Sequence, residues 1–393
     1  MTLNTIHCGD AVEYLKSLPD NAVNCVVTSP PYYQLRDYGK DGQIGLEGSV
    51  GEYLANLRPV FQEVRRVLRN DGVLWLNMGD SYNGYKANTG DSAFTGVRGN
   101  HNPESGRGLQ DRALPAKNLF GVPWRLAFML QDDGWILRSD CIWHKPSVMP
   151  ESVTDRPSKS HEYVFLLSKS PRYWYDARAV REPLAESTLP RAKYAVSAQH
   201  KYAQGGHGQH VHSMAKPREN GEGYPMDPSG RNLRTVWTLS AEANPYAHFA
   251  AFPKKLARRC ILLGCPRQVC VECGAPYVRE VDRTPIMTGT PSSNLKQSQL
   301  RPNKSGNQYK YGEVGYLAVT TLGFSPTCTC NASTRPGVVL DPFMGSGTTA
   351  LVARAEGRDF LGCDLNPEYV AMAEKRLAIP YTPRLFYDDE VKG

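Results

Sequence analysis

Long apolar runs are missing from this sequence. No stretch of its 393 residues approaches the roughly 20 consecutive apolar residues that a membrane-spanning helix needs. The opening Met-Thr-Leu-Asn-Thr-Ile-His lacks both the basic and the apolar character of a secretory leader. The ten cysteines do not form the compact framework of a small disulfide-rich domain, which points to an intracellular, reducing setting. Lysine is absent after Gly347, the last glycine of the turn 345–347, which excludes a triphosphate-binding loop there. A chain of this length and 40% hydrophobic content fits one large α/β domain with insertions, or two domains.

Excess positive charge is confined to the middle of the chain. Residues 176–340 carry 21 Lys and Arg against 11 Asp and Glu, while the remainder carries 25 against 28, for a net +7 overall. This distribution suits a polyanionic partner, the bland alternative being a solvated basic surface.

Val23–Val27 reads as a buried strand, stopped at Pro30-Pro31. Neither proline donates a backbone hydrogen bond, and each biases its predecessor towards extended geometry. The loop Thr28–Tyr33 is therefore stiff. It carries the Ser29 hydroxyl and the flat faces of Tyr32 and Tyr33, a set suited to a planar, amine-bearing ligand. A proline turn with tyrosines lidding the core is the competing reading. Around this loop, Ile6-His7-Cys8 predicts a strand, Asp10 with Glu13 a capping box for a helix over 11–18, and Gly51–Arg69 an amphipathic helix leading to a strand over 73–78. Residues 80–112 lose all periodicity and predict a long mobile loop. Further on, 122–131 predicts a helix, 135–143 and 161–168 strands, and 252–263 a helix with a basic face. The intervening 176–235 is irregular, and its His200, His207, His210 and His212 lack metal-ligand spacing.

A second anchor lies near the other end. The strand Val338–Leu340 is followed by Asp341-Pro342-Phe343-Met344-Gly345-Ser346-Gly347-Thr348-Thr349 and a helix through Ala355. Strand, glycine turn and helix form a nucleotide cradle. The acid at its head repels phosphate but suits an ammonium group. The next strand, 359–363, ends in Asp364, placed for the hydroxyls of a ribose, and Asn366-Pro367 starts the last helix. A ligand with a ribose, an amino-acid ammonium and no phosphate is S-adenosyl-methionine. Between these anchors, Cys270 with Cys273 and Cys328 with Cys330 can supply four thiolates to a structural Zn2+, with Cys260 and Cys265 as substitutes. The alternative is unconnected reduced cysteines.

Thr28-Ser-Pro-Pro-Tyr32 together with Asp341-Pro-Phe-Met-Gly-Ser-Gly-Thr-Thr349 resembles the β-type, permuted DNA amino-methyltransferases, most closely their N4-cytosine group. The resemblance spans roughly residues 5–175 and 245–380. It implies an α/β, Rossmann-like methyltransferase fold: a mostly parallel twisted sheet with helices on both faces, and a circularly permuted motif order. The implied organisation is a catalytic half over 1–175 with a mobile loop at 80–118, a target-recognition region over 176–247, a cofactor half over 248–265 and 335–393, and a Cys-rich insertion over 266–334. The implied cofactor set is Asp10, Phe252, Asp341, Phe343, Gly345, Gly347, Thr348, Asp364 and Asn366. Asp10 has the competing role of a helix cap. Arg191, Lys193, Arg231 and Arg234 are the expected contacts to double-stranded DNA, and a cognate restriction endonuclease is a compatible partner. The setting implied is cytoplasmic, of bacterial, archaeal or phage type.

The catalytic set implied is Ser29, Pro30, Pro31 and Tyr32. An exocyclic amine has its lone pair delocalised into the base. Hydrogen bonds from its protons to Ser29 and the Pro30 carbonyl would free that pair, and Tyr32 would stack on a base flipped from the duplex. No Pro-Cys signature of carbon-5 methylation occurs in this loop; Cys265-Pro266 has the reverse order. In the resembled family, Ser at position 29 goes with N4-cytosine, and Asp or Asn with N6-adenine. An N6-adenine enzyme of the same fold, and a non-catalytic zinc-containing DNA-binding protein, are the alternatives.

Overall fold

The computed structural model describes residues 1–35, 37, 39–84, 111, 113–148, 150–184, 229–242, 252–287, 300–302, 308–310 and 314–379. In chain order the strands are β1 (Thr5–Cys8), β2 (Val23–Thr28), β3 (Leu68–Met78), β4 (Ile136–His144), β5 (His161–Ser168), β6 (Val236–Thr238), β7 (Val269–Cys270), β8 (Tyr277–Met287), β9 (Leu300–Pro302), β10 (Gln308–Lys310), β11 (Val314–Pro326), β12 (Thr334–Arg335), β13 (Val338–Asp341) and β14 (Asp359–Asp364). The helices are α1 (Ala11–Lys16), α2 (Val50–Val67), α3 (Val122–Asp132), α4 (Lys254–Gly264), α5 (Thr348–Ala355) and α6 (Pro367–Ala378). The predicted helices and strands recur within a few residues at their ends.

Eight strands form one sheet in the order β1-β14-β13-β2-β3-β5-β4-β6. Neighbours from β1 to β3 run parallel, β5 is antiparallel to both β3 and β4, and β6 is parallel to β4. β13 therefore inserts between β14 and β2, pairing Leu340 with Val26 across more than 300 residues of chain. This placement gives physical form to the permuted order. β2 is buried along its whole length, as a strand covered on both faces must be. Val26, Leu74, Leu76 and Leu340 join one core with Tyr53, Leu57, Phe61 and Val64 of α2 and Leu126 and Leu130 of α3. On the opposite face Gly264 of α4 lies against Val73, Trp75 and Cys25, too close to admit a Cβ.

α2 starts where Ser49 accepts from the Glu52 amide at 3.2 Å, a side-chain cap. α1 starts likewise on Asp10, which accepts from the Glu13 amide at 3.0 Å. Part of the expected loop at 80–118 is tied down. Asn83 donates from its amide to the Asn118 carbonyl at 2.8 Å, and the Lys117 amide donates to the Asn83 carbonyl at 3.0 Å. Asp80 accepts from the amides of Gly121 and Val122. Residues 85–110 lie outside the described residues.

The chain divides into two compact units, one of residues 1–176, 234–277 and 326–393, the other of 177–233 and 278–325. The first holds the eight-stranded sheet and all four cysteines of the two close pairs. The second contains most of the β8–β11 and β9–β10 ribbons. The compact units thus cut the proposed Cys-rich insertion at its base, leaving its cysteines with the sheet. Among the described residues no helix is long and apolar enough to cross a membrane.

Candidate active site

Both anchor loops leave the C-terminal edge of the parallel strands, where α/β sheets bind ligands. They are bolted together by Asp341. Its carboxylate accepts from the Thr28 hydroxyl at 2.7 Å, the Thr349 hydroxyl at 2.7 Å and the Phe343 amide at 3.1 Å. Only 1% of Asp341 is exposed, and it does not line the cavity described below. Internal donors reach both oxygens of Asp341, the residue expected at the cofactor, and these bonds join the two loops. Burial raises its carboxyl to about 6, against the hydrogen bonds from Thr28 and Thr349. In the unfolded chain the group titrates near 3.9. A raised folded value means that its contribution to stability is fully present below about pH 4 and is lost as pH rises through about 6. Asp341→Asn should flatten the stability change across that window, as read by denaturant unfolding at fixed pH values.

A cavity of about 730 Å³ opens between the loops. At one end are Asp10, Phe343, Gly345, Thr348, Asp364 and Asn366; at the other are Ser29, Pro30, Pro31, Tyr32, Asn77, Trp143, Lys145 and Glu162, with Phe252 also on the wall. Parallel pairing of Cys8 with Asp364 brings Asp10 beside Asp364. Asp364 is fixed by the Gly345 amide at 2.7 Å and the Asn366 amide at 2.9 Å. Burial raises its carboxyl above the ordinary range, these amides opposing the shift. Asp10 caps α1 and also lines the cavity.

Gly347 departs from expectation. It does not line the cavity; its φ of +83° starts α5, and a Cβ there would meet Ala373 at 2.7 Å. The glycine serves the close packing of α5 on α6. Gly345, at φ +53°, does line the cavity, but gives its amide to Asp364.

The Thr28–Tyr33 loop splits its two tyrosines between core and site. Tyr33 is 2% exposed and packs with Tyr53 and Phe120, which is the core-lid role. Tyr32 faces the cavity, its ring lying so close to Gly79 that a Cβ there would sit 2.6 Å from Cε2. The Tyr32 hydroxyl donates to Glu162 at 2.6 Å and stands 3.3 Å from the Ser29 hydroxyl. Asn77 Nδ2 donates to the same Glu162 oxygen at 3.1 Å, and Lys145 Nζ pairs with the other. Lys145 also lies over the Trp143 ring, 4.3 Å from its centroid. Burial, then the charge of Glu162, pushes the Tyr32 phenol well above its ordinary range, so it keeps its proton. Asn77, Lys145 and Glu162 were not singled out in the sequence. Polar side chains at the ends of otherwise apolar strands were their signal.

The thiol sulfurs of Cys270, Cys273, Cys328 and Cys330 all lie within 4.8 Å of one another. A tetrahedral zinc with Zn–S near 2.3 Å needs sulfurs about 3.8 Å apart, so this donor set fits. Gly274 turns the first pair at φ +69° beneath the Arg69 guanidinium, which donates to the Cys273 carbonyl at 3.2 Å. β7 and β12 pair beside it, Cys270 opposite Thr334. Cys260 and Cys265 are wholly buried at α4 and its C-cap and take no part. Of the expected DNA contacts, Arg191 and Lys193 lie outside the described residues, as do the four scattered histidines. Arg231 pairs with Glu182 at 2.9 Å, and the Arg234 carbonyl accepts from the Trp237 indole at 2.7 Å.

Residues 23–271 and 329–375 match the N6_N4_Mtase family, described as DNA methylase. The chain is 36% identical over 380 residues to the Type II methyltransferase M.Cfr9I of Citrobacter freundii, covering 95% of this chain and 87% of that protein. It is 34% identical over 372 residues to the Type II methyltransferase M.SmaI of Serratia marcescens, covering 94% and 89%. Among solved structures, the PvuII DNA methyltransferase (cytosine-N4-specific) superposes with a TM-score of 0.50 at 17% identity, covering 97% of this chain and 90% of that one; it shares the fold.

Proposed function

The chain belongs to the N6_N4_Mtase family of DNA methylases, and from that premise we propose that it methylates the exocyclic N4 amine of a cytosine flipped out of duplex DNA, with S-adenosyl-methionine as donor. The observation that carries this reading is the single cavity joining Ser29 and Tyr32 to Asp10 and Asp364. When bound, S-adenosyl-methionine supplies a sulfonium methyl electrophile. Asp364 would hold the ribose hydroxyls. Asp10 and Phe343 would flank the adenine, and Phe252 and Thr348 the amino-acid end.

At the other end Ser29 and the Pro30 carbonyl would accept the two amine protons, favouring a tetrahedral nitrogen with its lone pair free. Tyr32 would stack on the base. Unstacking costs a few kcal/mol, and positioning then accounts for most of the rate. Ser29, a neutral acceptor at the motif's first position, favours cytosine over adenine. A structural Zn2+ on Cys270, Cys273, Cys328 and Cys330, and a cognate restriction endonuclease, complete the proposal.

Two measurements test it. Titration calorimetry should detect S-adenosyl-methionine binding; absence of affinity would remove the enzyme reading. Labelled methyl transfer to DNA, with nucleoside mass analysis, should yield N4-methylcytosine. A product consisting only of N6-methyladenine would move the target to adenine.

A further inference from the structure

Glu162 is the one acid at the base end of the cavity, among the described residues lining it, and the chemistry above makes no use of it. Its side chain is 13% exposed. It lies on β5, and antiparallel pairing sets it opposite Trp143 of β4 and beside the stretch of β3 that carries Asn77. Three donors converge on it: Lys145, Asn77 and the Tyr32 hydroxyl.

These contacts fix which way each proton points. A carboxylate paired with lysine is a pure acceptor. Of the two acceptors facing the Tyr32 hydroxyl, Glu162 at 2.6 Å is far nearer than Asn77 Oδ1 at 3.4 Å, so the single Tyr32 proton goes to Glu162. Towards Ser29 the Tyr32 oxygen can then only accept. The Gly79 amide, which faces the same oxygen, is itself a donor and cannot reverse this. Ser29 has one proton too, and gives it to Tyr32 across 3.3 Å. What Ser29 has left for the cavity is lone pairs.

We propose that Glu162 is a positioning residue that sets the direction of hydrogen bonding through Tyr32 to Ser29, so that Ser29 presents an acceptor and selects a base bearing an amino group over one bearing an oxo group at the same position. The inference rests on the amine-methylation reading. An amine donates to Ser29; an oxo group would set acceptor against acceptor. Leaving such a pair unmade costs about tenfold to a hundredfold in affinity.

Wild-type protein is first used with labelled S-adenosyl-methionine to locate the methylated sequence. Two duplexes of that sequence are then compared by equilibrium binding, one with cytosine at the target and one with uracil. A mispaired uracil flips more easily, but that is a property of the DNA and cancels when variants are compared with wild type. Tyr32→Phe and Glu162→Gln should each lower the uracil-to-cytosine Kd ratio about tenfold. The double variant should lower it no further than the stronger single, because both act through one chain of bonds. Tyr32→Phe removes only an oxygen, and retained S-adenosyl-methionine affinity reports intact folding. An unchanged ratio in both single variants, or fully additive losses, would overturn the inference while leaving cytosine methylation standing. If the mapped base is adenine, hypoxanthine replaces uracil and the same ratio decides. If wild type methylates nothing, the underlying reading fails and this inference with it.

Discussion

Tyr32→Ala should lower single-turnover methyl transfer by about two orders of magnitude and leave S-adenosyl-methionine affinity unchanged. Base stacking on an aromatic ring is worth about 1–3 kcal/mol, which alone reaches about a hundredfold at its upper end. The rest of the loss comes from what the ring holds. Its hydroxyl joins Ser29 to Glu162, so its removal frees the Ser29 proton to point in any direction. Its ring sits on Gly79, whose missing Cβ leaves the space for it. None of these contacts involves Asp10 or Asp364, which is why cofactor affinity should be spared. Calorimetry and rapid-quench transfer on the same preparation check both halves. A parallel loss of cofactor binding would place the ring against the cofactor instead.

The parts of this site that the sequence announced are those in which one short stretch carries both shape and chemistry. Thr28–Tyr33 and Asp341–Thr349 each contain a strand end, a stiff or glycine-bearing turn and a polar group, so their role is readable without the rest of the chain. Asp364 follows from its place at the end of the next strand. Legibility fails where function depends on which way a side chain turns. Asp341 stands at the head of the glycine turn as a ligand contact would, yet it points inward to Thr28 and Thr349. Gly347 has a conformation that would suit a cradle, but its need arises from Ala373 on another helix. Glu162 was hidden for a different reason. It meets Tyr32 across 130 residues, and only the antiparallel placement of β5 between β3 and β4 creates the meeting. No spacing rule encodes that; it is a property of the sheet order.

The cysteine cluster gives the other large effect. Freshly purified protein should contain about one zinc per chain, and Cys273→Ser should lose it together with much of the thermal stability of the cysteine-bearing segment. The physical basis is the shortness of the strands that would surround the metal. β7 and β12 have two residues each, so few ladder bonds hold 269–277 to 326–335, and an isolated two-stranded ribbon is marginal in water. Four thiolates on one zinc bind with about 10–16 kcal/mol in small peptides at neutral pH, more than enough to offset the ordering cost of such a turn. The one-residue spacer of Cys328-Thr-Cys330 is no obstacle, since its sulfurs reach the same cluster as the Cys270 pair. Chelation should therefore expose the chain near 270–277 and 326–335 to proteolysis. It should leave S-adenosyl-methionine affinity intact, because the cavity is lined by none of the four cysteines. Metal analysis of fresh protein that finds no zinc would remove the site, and the four thiols would then be reduced neighbours held by the turn alone.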